Sequence, residues 1–238
     1  VVTSWYRRTV TSGRCIDSAA SAIVKITVLP LLTNNNILNV PPDICYGMTF
    51  TNLTATNAPT LSGGDNSYKF KWESSINGTT WITATGVNNL VGYNPDELSA
   101  SFPGNEYYHR IVYSGSNDVC VNTSTSVLLK DFPVITNNSI STFTTNQPIC
   151  SGSAPPKLIG SIPLNGNGTY AYIWQDSTKG HSWTDITGEI SLDYQPPALT
   201  DTTRYRRKVS SSACSDISNS IRIIVHKPIL NNNITLLS

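Results

Sequence analysis

The stretch that decides the fold is Tyr205-Arg206-Arg207-Lys208-Val209. In an extended strand it alternates, with Tyr205, Arg207 and Val209 on one face and Arg206 and Lys208 on the other. The same pattern stands at Tyr108-His109-Arg110-Ile111-Val112 and at Tyr6-Arg7-Arg8-Thr9-Val10. Tyr6 to Tyr108 is 102 positions and Tyr108 to Tyr205 is 97, so the chain repeats itself at a fixed period of about a hundred residues.

Other marks keep the same order. Trp72 and Trp81 recur as Trp174 and Trp183, with Gly78 and Gly180 three residues before the second Trp. Tyr93, Pro95 and Leu98 match Tyr194, Pro196 and Leu199. Asn34-Asn35-Asn36-Ile37 returns as Asn137-Asn138-Ser139-Ile140 and as Asn231-Asn232-Asn233-Ile234. The frame predicts the last strands of a truncated module at 1–30, full modules at 31–133 and 134–229, and the start of another at 230–238.

Each module is rich in short runs of Val, Ile, Thr, Tyr and Trp, broken by Gly, Pro and Asn. That pattern reads as all-β. Tyr68, Phe70 and Trp72 alternate with Lys69 and Lys71, and Asn77-Gly78 marks a hairpin turn. About seven short strands in roughly a hundred residues fit an immunoglobulin-like β-sandwich. The predicted structural core holds Trp72, Trp81, Trp174, Trp183, Tyr108 and Tyr205, together with Arg110 and Arg207. The alternative for the aromatic residues is a sugar-binding platform. Arg207, sharing a face with Tyr205, needs a carboxylate, carbonyls or an aromatic face; stacking on the strand Trp would serve. It could instead cover the core edge with its stem.

The five cysteines sort on the same frame. Cys45 and Cys150 lie near the starts of full modules, while Cys15, Cys120 and Cys214 follow the Tyr-Arg-Arg strand. The pairing expected is Cys45–Cys120 and Cys150–Cys214, one disulfide per module, with Cys15 left unpaired by truncation. Disulfides imply an oxidising, extracytoplasmic compartment.

Apolar residues are 39% of the chain and charged ones only 13%, with a formal net charge of +1. That balance argues against nucleic acid as a partner, which requires a basic patch. No run is long enough to cross a bilayer, so direct membrane insertion is not expected. No phosphate loop and no Gly-x-Ser-x-Gly elbow occur, and nothing selects Asp96 and Glu97 as a catalytic pair. His109, His181 and His226 are scattered. No enzyme activity, cofactor or metal site is predicted.

The ordered motifs resemble the PKD-like or Ig-like repeats of large secreted surface proteins of Bacteroidetes, including gliding-motility adhesins. The motifs are Cys45-Tyr46-Gly47 and Cys150-Ser151-Gly152, Tyr172-Ile173-Trp174, Tyr-x-Pro-x-x-Leu at 93–98 and 194–199, and Tyr-Arg-Arg before a Cys. The first full module departs from the pattern, with three extra residues before Cys120. The resemblance implies type IX secretion cargo held at the outer membrane surface. It also implies O-glycosylation at Asp-Ser/Thr-x motifs, here Ser18, Ser177 and Thr202. The function expected is a structural stalk or adhesive repeat, its partners being neighbouring repeats and cell-surface proteins or polysaccharide. The alternatives are a carbohydrate- or host-surface-binding module and a non-catalytic accessory domain of a secreted enzyme.

Overall fold

The computed structural model describes residues 3–16, 21–95, 104–143 and 148–229. The described residues form short strands and one 3-10 turn, Ser116–Asp118. No helix among them is long and apolar enough to cross a membrane. The chain divides into two compact units. The first is Val1–Pro42, Thr49–Ser99 and Asn105–Leu129; the second is Asp43–Met48, Ala100–Gly104 and Lys130–Ser238.

In the first unit, β1 (Ser4–Tyr6) pairs antiparallel with β4 (Val24–Ile26), and β2 (Thr11–Ser12) forms a hairpin with β3 (Cys15–Ile16). β5 (Ile37–Asn39) runs antiparallel to β7 (Thr54–Ala55), and Leu53 bridges to Tyr93. The larger sheet is built on β8 (Tyr68–Ser75), β9 (Ile82–Thr83), β10 (Asn105–Ser114) and β11 (Cys120–Thr123). Arg110 lies opposite Trp72 in the β8–β10 register. Trp72 is fully buried and stacks on Tyr93 at 5.7 Å, which in turn meets Tyr108 at 5.4 Å. These rings close the two layers over Leu53.

The boundary between the units falls inside β12 (Val127–Phe132). In the second unit, β6 (Ile44–Cys45) pairs parallel with the end of β12, Ile44 opposite Asp131 and Cys45 opposite Phe132. β13 (Ile140–Thr142) pairs with β15 (Leu158–Gly160), and Leu158 bridges to Tyr194. The facing sheet is β17 (Thr184–Asp185), β16 (Ala171–Thr178), β18 (Thr203–Ser211) and β19 (Cys214–Ile217) in that order, with β20 (Ile221–Ile223) also on β18. β21 (Val225–His226) takes β14 (Ile149–Cys150) as a parallel partner. Ile140, Leu158, Trp174, Tyr194, Leu199, Tyr205 and Ile223 pack between the layers. This is an immunoglobulin-like β-sandwich: two packed antiparallel sheets whose edge is closed by one short parallel strand.

Both final strands are interrupted at the same place. Ser218 Oγ accepts a hydrogen bond from the Arg207 backbone N–H at 2.8 Å, and Ser124 Oγ does the same for Arg110 at 3.0 Å. Upstream, Ser21 Oγ accepts from Arg8 N–H at 2.7 Å. The β1–β4 pair therefore keeps the strand pair of a repeat. Tyr6 is 57% exposed, whereas Tyr108 and Tyr205 are buried, since no described strand covers Tyr6.

Candidate functional site

Each of the two full repeats is centred on a fully buried arginine, Arg110 and Arg207. In the second, Arg207 donates from Nε and Nη2 to Asn138 Oδ1 at 3.2 and 2.9 Å. It also donates from Nη1 to the Leu192 carbonyl at 2.9 Å and from Nη2 to the Ser161 carbonyl at 2.8 Å. In the first, Arg110 makes the same set to Asn35 Oδ1, the Val91 carbonyl and the Thr56 carbonyl, at 2.7 to 3.0 Å. Four of the five guanidinium N–H groups are satisfied in each case. Among the described residues no carboxylate forms an ion pair with either arginine. Burial pushes Arg110 down to about 10, so it still carries its charge at neutral pH. Burial lowers Arg207 as well, partly offset by Tyr172 and Asp193.

The aromatic partner differs from the expected one. Arg110 lies 5.1 Å from the Phe70 ring and Arg207 5.0 Å from Tyr172, each two residues before the strand Trp. Trp72 and Trp174 are already faced by Tyr93 and Tyr194, so their rings are not free for the guanidinium. The acceptors Asn35 and Asn138 belong to the Asn-Asn motif that recurs as a mark of the repeat. Their signal was present: an Asn-Asn pair recurring near the start of each full repeat. Asn34 and Asn137 hold positive φ, 61° and 57°, just before each acceptor amide.

The second Trp of each repeat is not core, contrary to expectation. Trp81 is half-buried and stacks on His109 at 3.8 Å, and His109 Nε2 is 3.0 Å from Glu73 Oε2. Trp183 is likewise half-buried beneath Arg206, whose Cζ is 4.2 Å from the ring. His109 and Arg206 precede the buried arginines by one residue. Strand alternation therefore places them, and the Trp they cover, on the outer face.

The cysteine pairing is also corrected. The structure bonds Cys45 to Cys214, with S–S 2.00 Å and Cα–Cα 4.9 Å, across 169 residues. Cys120 and Cys150 are free. Strand register gives the reason. Cys150 lies opposite His226, while Cys214, opposite Ser211, stands twelve positions earlier along the same final strands. At about 3.3 Å per residue that is on the order of 40 Å, far beyond disulfide reach. The two cysteines of one repeat sit at opposite ends of its sheet. Cys45 instead reaches the hairpin of the next repeat, packing with Ile135, Val209 and Cys214. Both bonded residues lie in the second unit. The side chain of Cys15 lies outside the described residues.

Of the expected glycosylation positions, Ser18 lies outside the described residues. Ser177 is buried and donates to the His181 carbonyl at 2.5 Å, so its hydroxyl is not available to a sugar. Thr202 is half-buried and accepts from the Val225 N–H at 3.1 Å. No cluster of His, Cys, Asp or Glu suited to a metal ion occurs among the described residues.

These features define a class: tandem Ig-like domains, each built round a neutral-ligated arginine, with a disulfide running from one repeat to the next. A family model described as "Domain of unknown function (DUF8696)" matches residues 34–130 and again 139–227, and the chain belongs to this family. No curated protein matches the chain. Among solved structures, the chain is similar to the chicken CNTN1 FN1-FN3 domains at 15% identity and TM-score 0.40, covering 94% of this chain and 78% of that one. It is similar to murine CEACAM1b at 14% identity and TM-score 0.43, covering 84% and 100%. The tandem Ig repeats of Dlar give 11% identity and TM-score 0.29, covering 84% and 98%.

Proposed function

We propose that the chain is a non-catalytic stalk of a protein exported from the cell and held at its surface, in the manner of the secreted adhesins it resembles. The observation that carries this reading is the Cys45–Cys214 bond. A persistent disulfide belongs to an oxidising compartment. A covalent link from one repeat to the next also resists extension, which is what a stalk needs and a soluble binding domain does not. Export by type IX secretion, a role in attachment or gliding, and contact with surface polysaccharide or proteins belong to the same reading. Nucleic acid and membrane insertion do not. The test is antibody labelling of intact cells that make the parent protein. Labelling without lysis is expected; labelling only after lysis would overturn the surface location.

A second reading draws on Trp81 and Trp183, which stand half-buried at matching outer positions. Aromatic rings so placed can stack on sugars, but His109 and Arg206 already cover one face of each. Under the stalk reading, titration with the host's surface polysaccharide leaves Trp fluorescence unchanged. A saturable change lost in Trp183→Ala would favour binding.

A further inference from the structure

The two full repeats differ at one end of the sandwich. In the first, the inward-facing residues of β8 and β10 lie opposite each other, Trp72 with Arg110 and then Ser74 with Tyr108. The next places on that face are Glu106 on β10 and Ile76 just past the end of β8. In the second repeat the same two places hold Thr178 and Thr203, which lie opposite each other. Their hydroxyls share a hydrogen bond at 3.2 Å, and Thr203 Oγ1 is also 3.0 Å from the Asp201 carbonyl. That end of the second repeat satisfies itself.

The first repeat leaves it unsatisfied. Glu106 and Ser74 are only 8% and 4% exposed, and among the described residues neither side chain has a hydrogen-bond or ion-pair partner. Burying a carboxylate and a hydroxyl without partners is costly. Both line a cavity of about 320 Å³, together with Ile76, Ile82 and Tyr108. Ile76 and Ile82 are exposed at its rim. The second repeat has Thr178 and Thr184 in their places. The first repeat therefore replaces threonines with one acid and two apolar side chains around a single cavity. A small cavity with apolar walls and a few unspent polar groups is the form that small-ligand sites take.

We propose that this cavity binds a primary ammonium carried on an aliphatic stem. The Glu106 carboxylate and the Ser74 hydroxyl accept its N–H groups, and Ile76 and Ile82 flank the stem. An ammonium offers only donors, so it complements both acceptors, and its bond to the carboxylate is charge-assisted. An anion would meet Glu106 as a like charge. An alcohol of the same stem would leave the carboxylate without a counter-charge. A free amine and the lysine side chain of a partner protein carry this same group. The residues named all lie in the first unit, and the site does not depend on the stalk reading.

The probes are n-pentylamine, n-pentanol and Nα-acetyl-lysine methylamide, titrated into the intact chain with the isoleucine methyl groups followed by NMR. Pentylamine is expected to shift the Ile76 and Ile82 methyl signals saturably, and to bind at least about tenfold more tightly than pentanol. Glu106→Gln should weaken pentylamine by about tenfold or more without lowering the melting temperature, because an unpartnered carboxylate adds nothing to the fold. Ile76→Thr with Ile82→Thr, which gives the rim the residues of the second repeat, should weaken the amine and the alcohol alike. Binding of the lysine derivative as tight as pentylamine would assign the site to a lysine side chain; binding of pentylamine alone would assign it to a free amine. No saturable shift with either amine, equal affinity for pentanol, or unchanged affinity in Glu106→Gln would overturn the site. A melting temperature lowered by Glu106→Gln would overturn it too, by showing that the carboxylate serves the fold.

Discussion

Asn138 Oδ1 receives two hydrogen bonds from the buried guanidinium of Arg207, so an uncharged amide holds a charge that a carboxylate would ordinarily hold. Removing the arginine orphans that amide and the carbonyls of Leu192 and Ser161 together. Arg207→Ala is expected to destabilise the second unit by about 3 kcal/mol or more, read by urea denaturation. Arg207→Lys keeps the charge but loses the fork, and should recover less than half of that. Wild-type stability in either variant would mean the cluster contributes nothing.

The outer stack differs in kind. Arg206 lies over Trp183 and also donates from Nε to Gln175 Oε1 at 2.7 Å, on a half-exposed face. Arg206→Ala should cost less than about 1 kcal/mol. It should also shift Trp183 emission to the red as the ring meets water. A loss as large as that of Arg207→Ala would place Trp183 in the core after all.

Acid should act through Asp193. The Gly160 N–H, at 2.9 Å, holds its carboxyl below the ordinary value of 3.8; partial burial pushes the other way, and Lys157 at 3.0 Å and Arg207 add to the lowering. Asp65 is lowered too, chiefly by the Ser114 hydroxyl. With folded values below unfolded ones, the unfolded chain takes up protons first as pH falls. The stability these groups give is therefore full above about pH 4 and lost below it. The melting temperature should stay level from pH 7 to 5 and drop below 4. Asp193→Asn should lower it at pH 7 and shrink the acid drop. A chain as stable at pH 3 as at pH 6 would contradict this.

Much of the fold was legible because the repeat placed equivalent residues side by side. The alternation of Tyr205, Arg207 and Val209 correctly reports the inward face, and all three are buried. The disulfide was not legible. Sequence order puts one early and one late cysteine in every repeat, which suggests a bond within the repeat. Only the parallel register of the two-residue strands β6 and β14 shows that these cysteines sit at opposite ends of the sheet. Strands that short leave no periodicity to read. Trp81 and Trp183 misled for a related reason. They lie beyond the turn from the central strand, where neither alternation nor spacing fixes which face they take.

The Cys45–Cys214 link is also a stability element. A loop of 169 residues corresponds to about 5 kcal/mol in the chain-entropy model. The double variant Cys45→Ser, Cys214→Ser should melt well below wild type without reductant, and reductant should add nothing further. An unchanged melting temperature would show that the bond constrains little.

The most direct test of the central claim is to pull the chain by its ends. In the oxidised chain, the residues between Cys45 and Cys214 are shielded behind the bond and add nothing to the extension. Cutting it with reductant should release a further length of about 600 Å, given roughly 3.5 Å per residue over the 169-residue separation. Full extension of the unreduced chain, with no added length on reduction, would contradict a covalent link between successive repeats.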